Sequence, residues 1–508
     1  MRNIFFCITF LLVGLPIVKG QNTVADNYRI KLEAFRAMHP PAMIYFHFDK
    51  PAYSPGDTIH YKVYQVETED WKPRPTPQFI DIEIIRLSDA ETIQKERTIV
   101  DNGVGMGAFQ LSKEMMPGIY RLKADSHLMN FNAKDIDFQY DFKIIGNLPD
   151  SGHSDIHAEC YIEGGNWVAG VLSHVVVTAN SDLMGKLVNE KGDSLAAVQI
   201  TNGFASFKFR PKTIEKLFVE LNNKRFPLPE VKKHGTVITI DNQPNDANIA
   251  IILSSKLAPG LSEKRLTLMC DHDGKTGLYF DIVAQNGKVI QLFPKSAFRH
   301  GINRILLIDS AMNILNERLI YHHSPRLMYL KVNKSTTAKG DDDEIILELS
   351  AENKEGLPVE ADLSISVVDS VVQTNALDYD NIVQTFSLQQ NLLNRIPKVE
   401  KMFESNKLID TRLMDLHMIS SKYGRFQWSD VKNYEYQPLE PFRLPYADER
   451  KAIKEKGFAA SNGLIYWNPS VLLKNGMAKA IFKAPKGAKL HYKITGFDKK
   501  GLIGNLEF

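Results

Sequence analysis

The chain has 508 residues, too many for one hydrophobic core, and chains of this length usually contain roughly three to five domains. Its 62 lysines and arginines nearly balance its 60 aspartates and glutamates, so a nucleic-acid partner is not expected. Aromatic residues make up 10% of the chain, and its 31 glycines and 24 prolines punctuate it regularly, which favours short strands over long helices.

The first twenty residues have the pattern of a signal peptide. A short positive start precedes an almost wholly apolar run over residues 4–18, and residues 18–20 resemble a signal-peptidase site. We therefore expect residues 1–20 to be removed on export, with cleavage after Gly20. Gln21 follows that site, so the cysteine of a lipid anchor is missing there. No later apolar run reaches the length of a membrane span, and we expect no transmembrane segment in the mature chain.

Residues 43–64 contain two strand-like segments separated by a turn. Apolar and polar side chains alternate over residues 44–49 and again over residues 59–64, which is the pattern of strands with one buried face. Between them, Pro55 presets φ at the second position of a β-turn, and Gly56 accepts a positive φ at the third. This segment predicts the start of a β-sandwich and contains no catalytic group.

The same alternation, broken by turns rich in glycine and proline, recurs along the chain and predicts four β-sandwiches. The predicted units are a polar lead with helical character at residues 21–40, sandwiches at residues 41–146, 152–233 and 235–326 with a polar linker at 147–152, and a fourth sandwich built from residues 327–370 plus 460–508. The fourth is discontinuous because three strands before an insertion are too few for a stable domain. The predicted fold class is therefore mainly β.

The insertion at residues 371–459 replaces the period of two by a helical spacing. Two apolar sets recur at this spacing, namely Ile382, Phe386 and Leu393, and then Ile409, Leu413 and Leu416. Pro397 separates the two sets because a proline ends or kinks a helix. We therefore predict a small α-helical insertion whose apolar faces require burial.

Seven residues near the first turn carry a resemblance to a known family. They are Asp49, Lys50, Pro51, Tyr53, Pro55, Gly56 and Asp57, within the segment FDKPAYSPGDT. This segment resembles the signature of the MG2 domain, the second macroglobulin domain of the alpha-2-macroglobulin family. The resemblance implies tandem macroglobulin-like domains, which are immunoglobulin- or fibronectin-like antiparallel β-sandwiches, and it gives these seven residues a structural role.

Most of the chain after the leader also resembles large exported envelope proteins of the Bacteroidetes that begin with an MG2 domain. The shared segments are residues 163–166, 317–321 and 467–469, with the sequences EGGN, ERLIY and WNP. The sequence Cys-Gly-Glu-Gln, which forms the thioester that lets many macroglobulins trap proteins covalently, does not occur in the 508 residues. The resemblance therefore implies a location in the periplasm, at the outer membrane or at the cell surface, without covalent trapping.

Histidine and cysteine side chains before residue 161 have a spacing that could hold a metal on a helix. His153, His157 and Cys160 lead directly into the strand predicted to begin at Tyr161, however, and in a strand this spacing does not converge on one ion. We therefore expect no metal there. Cys160 and Cys270 remain after the leader, and either one disulfide or two separate buried thiols fits an exported protein.

Other polar clusters are better explained by structure than by chemistry. Residues 271–274 (Asp-His-Asp-Gly) predict a hairpin turn, residues 341–344 a solvated acidic turn, and the histidine pair at 322–323 a solvated strand end. Ser364 and Ser366 lie in a predicted strand without the Gly-x-Ser-x-Gly elbow of serine hydrolases. The sequence therefore predicts no catalytic residue, no metal and no cofactor.

Two functional hypotheses follow, and an enzyme is the least favoured third. In the first, the chain is a non-enzymatic envelope scaffold that binds another protein, as an accessory of an outer-membrane uptake or surface complex. In the second, it is a thioester-less endopeptidase inhibitor of the alpha-2-macroglobulin type, with proteases as partners and residues 371–459 as the bait. A bait must be exposed and flexible, whereas apolar helical faces favour burial, so the scaffold is preferred.

Overall fold

The computed structural model describes residues 23–38, 42–126, 137–146, 155–242, 246–272, 275–377, 379–404, 406–434 and 463–508. These residues form mostly antiparallel sheets and few helices, so the predicted fold class is confirmed. None of the helices in these ranges is long and apolar enough to cross a membrane. The predicted leader and its cleavage site after Gly20 lie outside the described residues.

Helix α1 (Val24–Met38) opens the described part of the chain. Thr23 and Asp26 cap it reciprocally, because the Asp26 N–H donates to Thr23 Oγ1 at 3.1 Å and the Thr23 N–H donates to Asp26 Oδ2 at 3.2 Å. Tyr28 and Leu32 lie one helical turn apart and are buried against the third sandwich and the insertion. The apolar face of α1 thus holds the N-terminal lead against the third sandwich and the insertion.

The first sandwich packs a three-stranded sheet against a five-stranded sheet. Its strands are β1 (Ala42–Phe48), β2 (Ala52–Tyr53), β3 (Thr58–Glu67), β4 (Gln78–Arg86), β5 (Glu91–Val100), β6 (Val104–Gln110), β7 (Gly118–Ser126) and β8 (Phe138–Ile144). The strand orders are β1-β3-β6 and β2-β8-β7-β4-β5. Side chains alternate in burial along β7 and β8, but β1 and nearly all of β3 are buried on both faces. The expectation of one buried face is wrong for β1 and β3, because the fourth sandwich also covers them.

The second and third sandwiches each enclose an apolar core of their own. The second contains β9 (Ala158–Ile162), β10 (Trp167–Val168), β11 (Ser173–Ala179), β12 (Met184–Asn189), β13 (Ser194–Gln199), β14 (Phe204–Phe209), β15 (Leu217–Leu221), β16 (Lys224–Pro227) and β17 (Val231–Lys232). Its sheets have the orders β14-β11-β9 and β13-β12-β15-β16, and β10 pairs with β17 in parallel. The third contains β18 (Gly235–Asp241), β19 (Asn248–Lys256), β20 (Lys264–His272), β21 (Lys275–Ala284), β22 (Gly287–Pro294), β23 (Gly301–Ile308) and β24 (Ile314–His322). Its sheets have the orders β18-β19-β22 and β21-β20-β23-β24.

The insertion follows the strands β25 (Tyr329–Lys339), β26 (Asp342–Glu352) and β27 (Ala361–Asp369). Its described elements are α2 (Ser370–Gln373), α3 (Ile382–Ser387), the 3-10 turns Gln389–Asn391 and Val399–Met402, the short strands β28 (Phe403–Glu404) and β29 (Lys407–Leu408), α4 (Thr411–Ser420) and α5 (Trp428–Lys432). Residues 435–462 lie outside the described ranges. The described part of the insertion is thus a succession of short helices and turns.

Two of the residues predicted to lie on helical faces of the insertion do not. Helix α3 ends at Ser387, because the next residue, Leu388, has a φ of −132° and a ψ of −69° outside the helical region, so Leu393 lies beyond the helix. Asp410 caps α4 by accepting the Leu413 N–H at 2.8 Å. Ile409 therefore precedes the helix, and its side chain is 54% exposed. The prediction is wrong for Leu393 and Ile409 because these caps, rather than the apolar spacing, set the helix ends.

The fourth sandwich resumes after the insertion with β30 (Leu464–Leu472), β31 (Met477–Pro485), β32 (Leu490–Asp498) and β33 (Ile503–Glu507). Its sheets have the orders β25-β26-β31 and β30-β27-β32-β33, so each sheet combines strands from both sides of the insertion. Strands β27 and β30 pair directly, and the Asp369 N–H donates to the Gly463 carbonyl at 3.2 Å. The two ends of the insertion therefore leave one sheet side by side. The domain limits drawn from the sequence remain predictions.

Candidate functional site

The turn between β1 and β3 carries the seven motif residues, and its charged side chains bond to one another. Asp57 Oδ2 accepts the Ser54 N–H at 2.9 Å and Lys50 Nζ at 2.6 Å. The Asp57 N–H closes the turn by donating to the Ser54 carbonyl at 3.0 Å. Gly56 has a φ of +82°, the positive value that the predicted turn requires. Lys50 and Asp57 thus compensate each other's charge inside the fold.

Asp49 forms the second half of this corner. Its carboxylate accepts the Tyr53 hydroxyl at 2.8 Å and the His60 N–H at 3.1 Å, and it lies 2.8 Å from His60 Nδ1. These contacts offset the cost of burying the carboxylate completely. Pro51 and Pro55 restrict the backbone between Asp49 and Asp57. The structural role of the seven motif residues remains a prediction, and these bonds support it.

Two polar contacts join this part of the first sandwich to the fourth. Ser366 Oγ donates to the Asp49 carbonyl at 2.6 Å, and Lys62 Nζ lies 2.8 Å from Asp362 Oδ1. Lys62 is fully buried. Burial lowers the pKa of Lys62 to about 8, although the charge of Asp362 acts in the opposite direction. The pair therefore ties β3 to β27 through a buried charge.

His47 and Ser364 meet at the same interface, a contact that the sequence did not indicate. His47 Nδ1 lies 2.5 Å from Ser364 Oγ, which is also 2.7 Å from the Tyr64 hydroxyl. The Tyr64 hydroxyl donates to the Thr495 carbonyl at 2.9 Å. A neighbouring serine and histidine form part of many hydrolase sites, so their accessibility decides how the pair is interpreted.

Both side chains of the His47 and Ser364 pair are completely buried. Burial, followed by the charges of Lys493 and Lys62, lowers the pKa of His47 well below its ordinary value, so the imidazole is neutral. Its ring packs edge-on against Trp467 with 5.2 Å between centroids. A nucleophile must touch its substrate, whereas Ser364 is enclosed between two sandwiches. The pair therefore acts as a hydrogen-bonded contact of this interface.

A second buried cluster joins the second sandwich, the third sandwich and the insertion. Arg318 in β24 places Nε 3.1 Å from Glu163 Oε1 and Nη2 2.6 Å from Asp415 Oδ1 in α4. Glu163 also accepts the Ile240 N–H of β18 at 2.9 Å. Glu163 belongs to the segment EGGN and Arg318 to the segment ERLIY, both of which carry the family resemblance. The guanidinium of Arg318 therefore joins these two segments.

The charges of this cluster stabilise one another. Burial alone would raise the pKa of Glu163, but Arg318, His174 and the Ile240 N–H outweigh burial, so the pKa lies below its ordinary value. Burial alone would lower the pKa of Arg318, but Asp415 and Glu163 raise it. Arg318 and Glu163 are therefore both ionised near neutral pH, and each depends on the other.

Arg304 makes a comparable contact between the third sandwich and the insertion. Its Nε lies 2.8 Å from Glu317 Oε1, and its Nη1 lies 3.4 Å from Asp271 Oδ2. The guanidinium carbon lies 4.5 Å from the ring centroid of Tyr423 and 4.9 Å from that of Phe426. Because a desolvated cation over an aromatic ring can contribute about 2 kcal/mol, Arg304 helps to hold the insertion in place.

Cys160 and Cys270 are free thiols and form no disulfide with each other. Burial raises the pKa of Cys160 to about 12 and that of Cys270 further. Cys160 lies in β9, which begins at Ala158 rather than at the predicted Tyr161, and His153 lies outside the described residues. Within the described ranges, no three His, Cys, Asp or Glu side chains are placed to hold a metal ion.

The two turns predicted from polar clusters are only partly borne out. Strand β20 ends at His272 and pairs with β21, which begins at Lys275, and residues 273–274 of the predicted hairpin turn lie outside the described ranges. The turn between β25 and β26 contains only Asp341 of the acidic run, so the prediction of a solvated turn is wrong for residues 342–344, which pair within β26 and are partly buried. Neither cluster assembles a site with other predicted residues.

The solvated strand end expected at the histidine pair is wrong for His323. Its ring lies 5.9 Å from that of Phe403 and 5.6 Å from that of His300, measured between centroids. Burial lowers the pKa of His323 to about 4 and the pKa of His300 to about 3. Because Phe403 belongs to the insertion, the local sequence could not reveal this contact.

Residues 43–143 match the family model described as the MG2 domain. This range coincides with strands β1 to β8. The first sandwich therefore matches the MG2 domain, and the other described sheets form further, mostly antiparallel β-sandwiches. No curated protein matches the chain.

Among solved structures, the chain is similar to the native conformation of Escherichia coli alpha-2-macroglobulin, with 11% identity and a TM-score of 0.45 over 92% of this chain and 39% of that chain. Salmonella alpha-2-macroglobulin reacted with methylamine is similar with 11% identity and a TM-score of 0.33 over 92% of this chain and 39% of that chain. Dimeric latent PorU from Porphyromonas gingivalis is similar with 8% identity and a TM-score of 0.25 over 56% of this chain and 34% of that chain. The chain thus spans about two-fifths of the length of the two alpha-2-macroglobulin structures.

Proposed function

We propose that this chain is a non-enzymatic scaffold of the cell envelope that binds another protein, as an accessory of an outer-membrane uptake or surface complex. The observation that carries the proposal is the packing of the insertion against the sandwiches. Ile382 and Phe386 belong to the core of the first sandwich, and Met414 to a core shared with the third. Leu416 packs against Val176 of the second sandwich. One segment therefore holds three sandwiches in a fixed arrangement.

A fixed arrangement of sandwiches suits a binding scaffold because stable protein interfaces bury roughly 1,200–2,000 Å² and lose affinity when their surfaces must first be ordered. The buried pair of Arg318 and Glu163 and the contacts of Arg304 with Tyr423 and Phe426 add links to the same arrangement. The enclosure of His47 and Ser364 supports a role without catalysis. The proposed envelope location depends on the predicted leader, and a mature chain that begins at Gln21 in mass spectra would support it.

The alternative is a thioester-less endopeptidase inhibitor whose insertion is the bait. The position of the insertion, between two strands of a macroglobulin-like sandwich, favours this function. Its two ends leave the paired strands β27 and β30, however, so a cut inside the insertion would leave both ends hydrogen-bonded in one sheet. The large rearrangement that a bait must trigger is opposed by this pairing, which favours the scaffold.

Affinity capture from an envelope extract with the tagged full-length chain tests the proposal. We expect one protein to co-purify and to bind the purified chain directly. Arg318→Met should capture less of it, because the insertion loses its buried polar link to the second sandwich. The matched control Lys354→Gln changes an exposed charge and should capture the same amount. If the purified chain instead blocks protease action on a large protein but not on a small peptide, the inhibitor function is correct and the scaffold is wrong.

A further inference from the structure

We infer that the cleft between the second and third sandwiches binds a small organic anion with two or more charged groups, such as carboxylates or phosphates. The cleft has a volume of about 730 Å³, within the roughly 300–1,000 Å³ that is typical of small-molecule sites. Six basic side chains and no aspartate or glutamate line its described walls, namely His174, Lys208, Arg210, His234, Lys256 and Lys288. This excess is local, because the whole chain has a net charge of only +2.

The two walls are the outer faces of neighbouring sheets. In the second sandwich, Val175 belongs to the core, so His174 lies on the outer side of β11, opposite Lys208 of β14 in the strand register. In the third sandwich, Ser254 of β19 lies opposite Lys288 of β22. Basic groups from both sandwiches therefore face one cavity, which neither sandwich forms alone.

Two of the basic groups are already bonded, and one of them, Lys256, connects the two walls. Lys256 Nζ reaches from the third sandwich and donates to the Ala169 carbonyl of the second at 2.9 Å. His174 Nδ1 lies 3.3 Å from Glu163 Oε2, and its Nε2 lies 2.6 Å from Ser206 Oγ. The two walls of the cleft are thus joined by a contact within the fold.

The remaining four basic side chains make no hydrogen bond or ion pair within the part of the chain that the structure describes, namely Lys208, Arg210, His234 and Lys288. Positive groups that share a cleft focus their field and raise the local concentration of anions. An anion bound between the walls would supply acceptors for these four basic groups.

Apolar side chains in the same cleft indicate an organic ligand rather than a bare inorganic ion. Ile252 and Leu257 contribute to the lining, as does the turn at residues 258–261. A carbon framework that carries anionic groups at its ends matches apolar walls between basic ones. This inference does not rest on the proposed scaffold function.

Isothermal titration of the full-length chain tests the site, with citrate as a tricarboxylate probe and fructose 1,6-bisphosphate as a phosphate probe. At least one probe should bind with a dissociation constant on the order of 10–100 μM at low salt, and the affinity should fall as salt screens the charges. The double variant Lys208→Gln/Lys288→Gln removes one exposed, unbonded charge from each wall and should weaken binding by about tenfold or more.

The matched control Lys354→Gln/Lys499→Gln removes the same net charge at exposed positions outside the cleft. It should change the affinity by less than about twofold, since screened surface charges contribute little at a distance. Thermal melts confirm that both double variants remain folded. Absence of binding of both probes up to about 5 mM, or equal weakening in the cleft and control variants, would overturn the proposal, because a specific site gives neither result.

Discussion

Arg318 and Glu163 lie 3.1 Å apart between Nε and Oε1, and both side chains are buried where the second and third sandwiches meet. Asp415 of the insertion binds the same guanidinium at 2.6 Å. Because a buried ion pair contributes mostly by the penalty for breaking it, this cluster acts as a geometric constraint on three parts of the chain. Its removal is therefore a direct test of how the parts are joined.

Arg318→Met should lower the free energy of unfolding by about 3–5 kcal/mol, because Glu163 is left buried without its cation. Urea denaturation followed by tryptophan fluorescence measures this change. Arg225→Met provides the control, since its pair with Glu220 is exposed and should contribute less than about 1 kcal/mol. The double variant Arg318→Met/Glu163→Leu should be less destabilised than the sum of the two single variants, and strict additivity would contradict the coupling.

Gly56→Val should destabilise the first sandwich by about 1 kcal/mol or more, because Gly56 has a φ of +82° that a β-branched residue adopts only with strain. An added Cβ would also lie 3.0 Å from the flexible Lys113 side chain. Thermal melts measure the change. In the control Gly118→Ala, the nearest atom to the new Cβ lies at an ordinary 3.7 Å, and stability should hardly change. If Gly56→Val left stability intact but abolished partner binding, the corner would be a binding site.

Stability should fall as the pH drops from about 6.5 towards 4. Burial lowers the folded-state pKa of His417 to about 4, whereas an unfolded histidine has a pKa of about 6.5. The unfolded state therefore binds more protons in this window, so the stabilisation present above pH 6.5 is lost as the pH falls.

His417→Phe should reduce this acid loss by about 2–3 kcal/mol, because phenylalanine binds no proton at this position in the folded or the unfolded state. Thermal melts between pH 7 and 4 give the slope for each variant. Phe204→Leu is the control, since it disturbs the ring contact of 4.7 Å between centroids without removing a titrating group. It should lower stability equally at every pH, and a pH slope that stays unchanged in His417→Phe would contradict the prediction.

Features that depend on neighbouring residues were predictable from the sequence. The strands of the sandwiches follow from the period of two, and the turn at Gly56 follows from the need for a positive φ. The sequence also marked the segments that contain Glu163 and Arg318, although only through a family resemblance. These features are local in the chain, so a local pattern can indicate them.

The polar interfaces could not be predicted because their partners are far apart in sequence. His47 and Ser364 are 317 positions apart, and the alternation in β1 placed His47 on a face expected to be solvated. Lys62 was assigned to the same kind of face, yet it is buried against Asp362 of the fourth sandwich. An alternation of apolar and polar residues with a period of two shows which side chains share a face of the strand. It does not show whether a second domain covers that face.

The described part of the insertion after residue 378, namely residues 379–404 and 406–434, should resist limited proteolysis. Its apolar side chains lie in cores shared with the sandwiches, so a protease can cut it only after local unfolding. At low concentrations of proteinase K, we expect the first cuts near Pro149 in the linker predicted from the sequence, which lies outside the described residues. Mass spectrometry of the fragments locates each cut.

Phe386→Ala should speed cleavage within residues 379–434, because removing a buried phenylalanine side chain costs about 3–5 kcal/mol. Leu357→Ala is the control, since Leu357 is 60% exposed and lies outside the insertion, and its cleavage pattern should match that of the unchanged chain. Rapid cleavage of the unchanged chain within residues 379–434, followed by a large change in hydrodynamic radius and loss of protease activity on large substrates, would identify the insertion as a bait. In that case the inhibitor function would replace the scaffold.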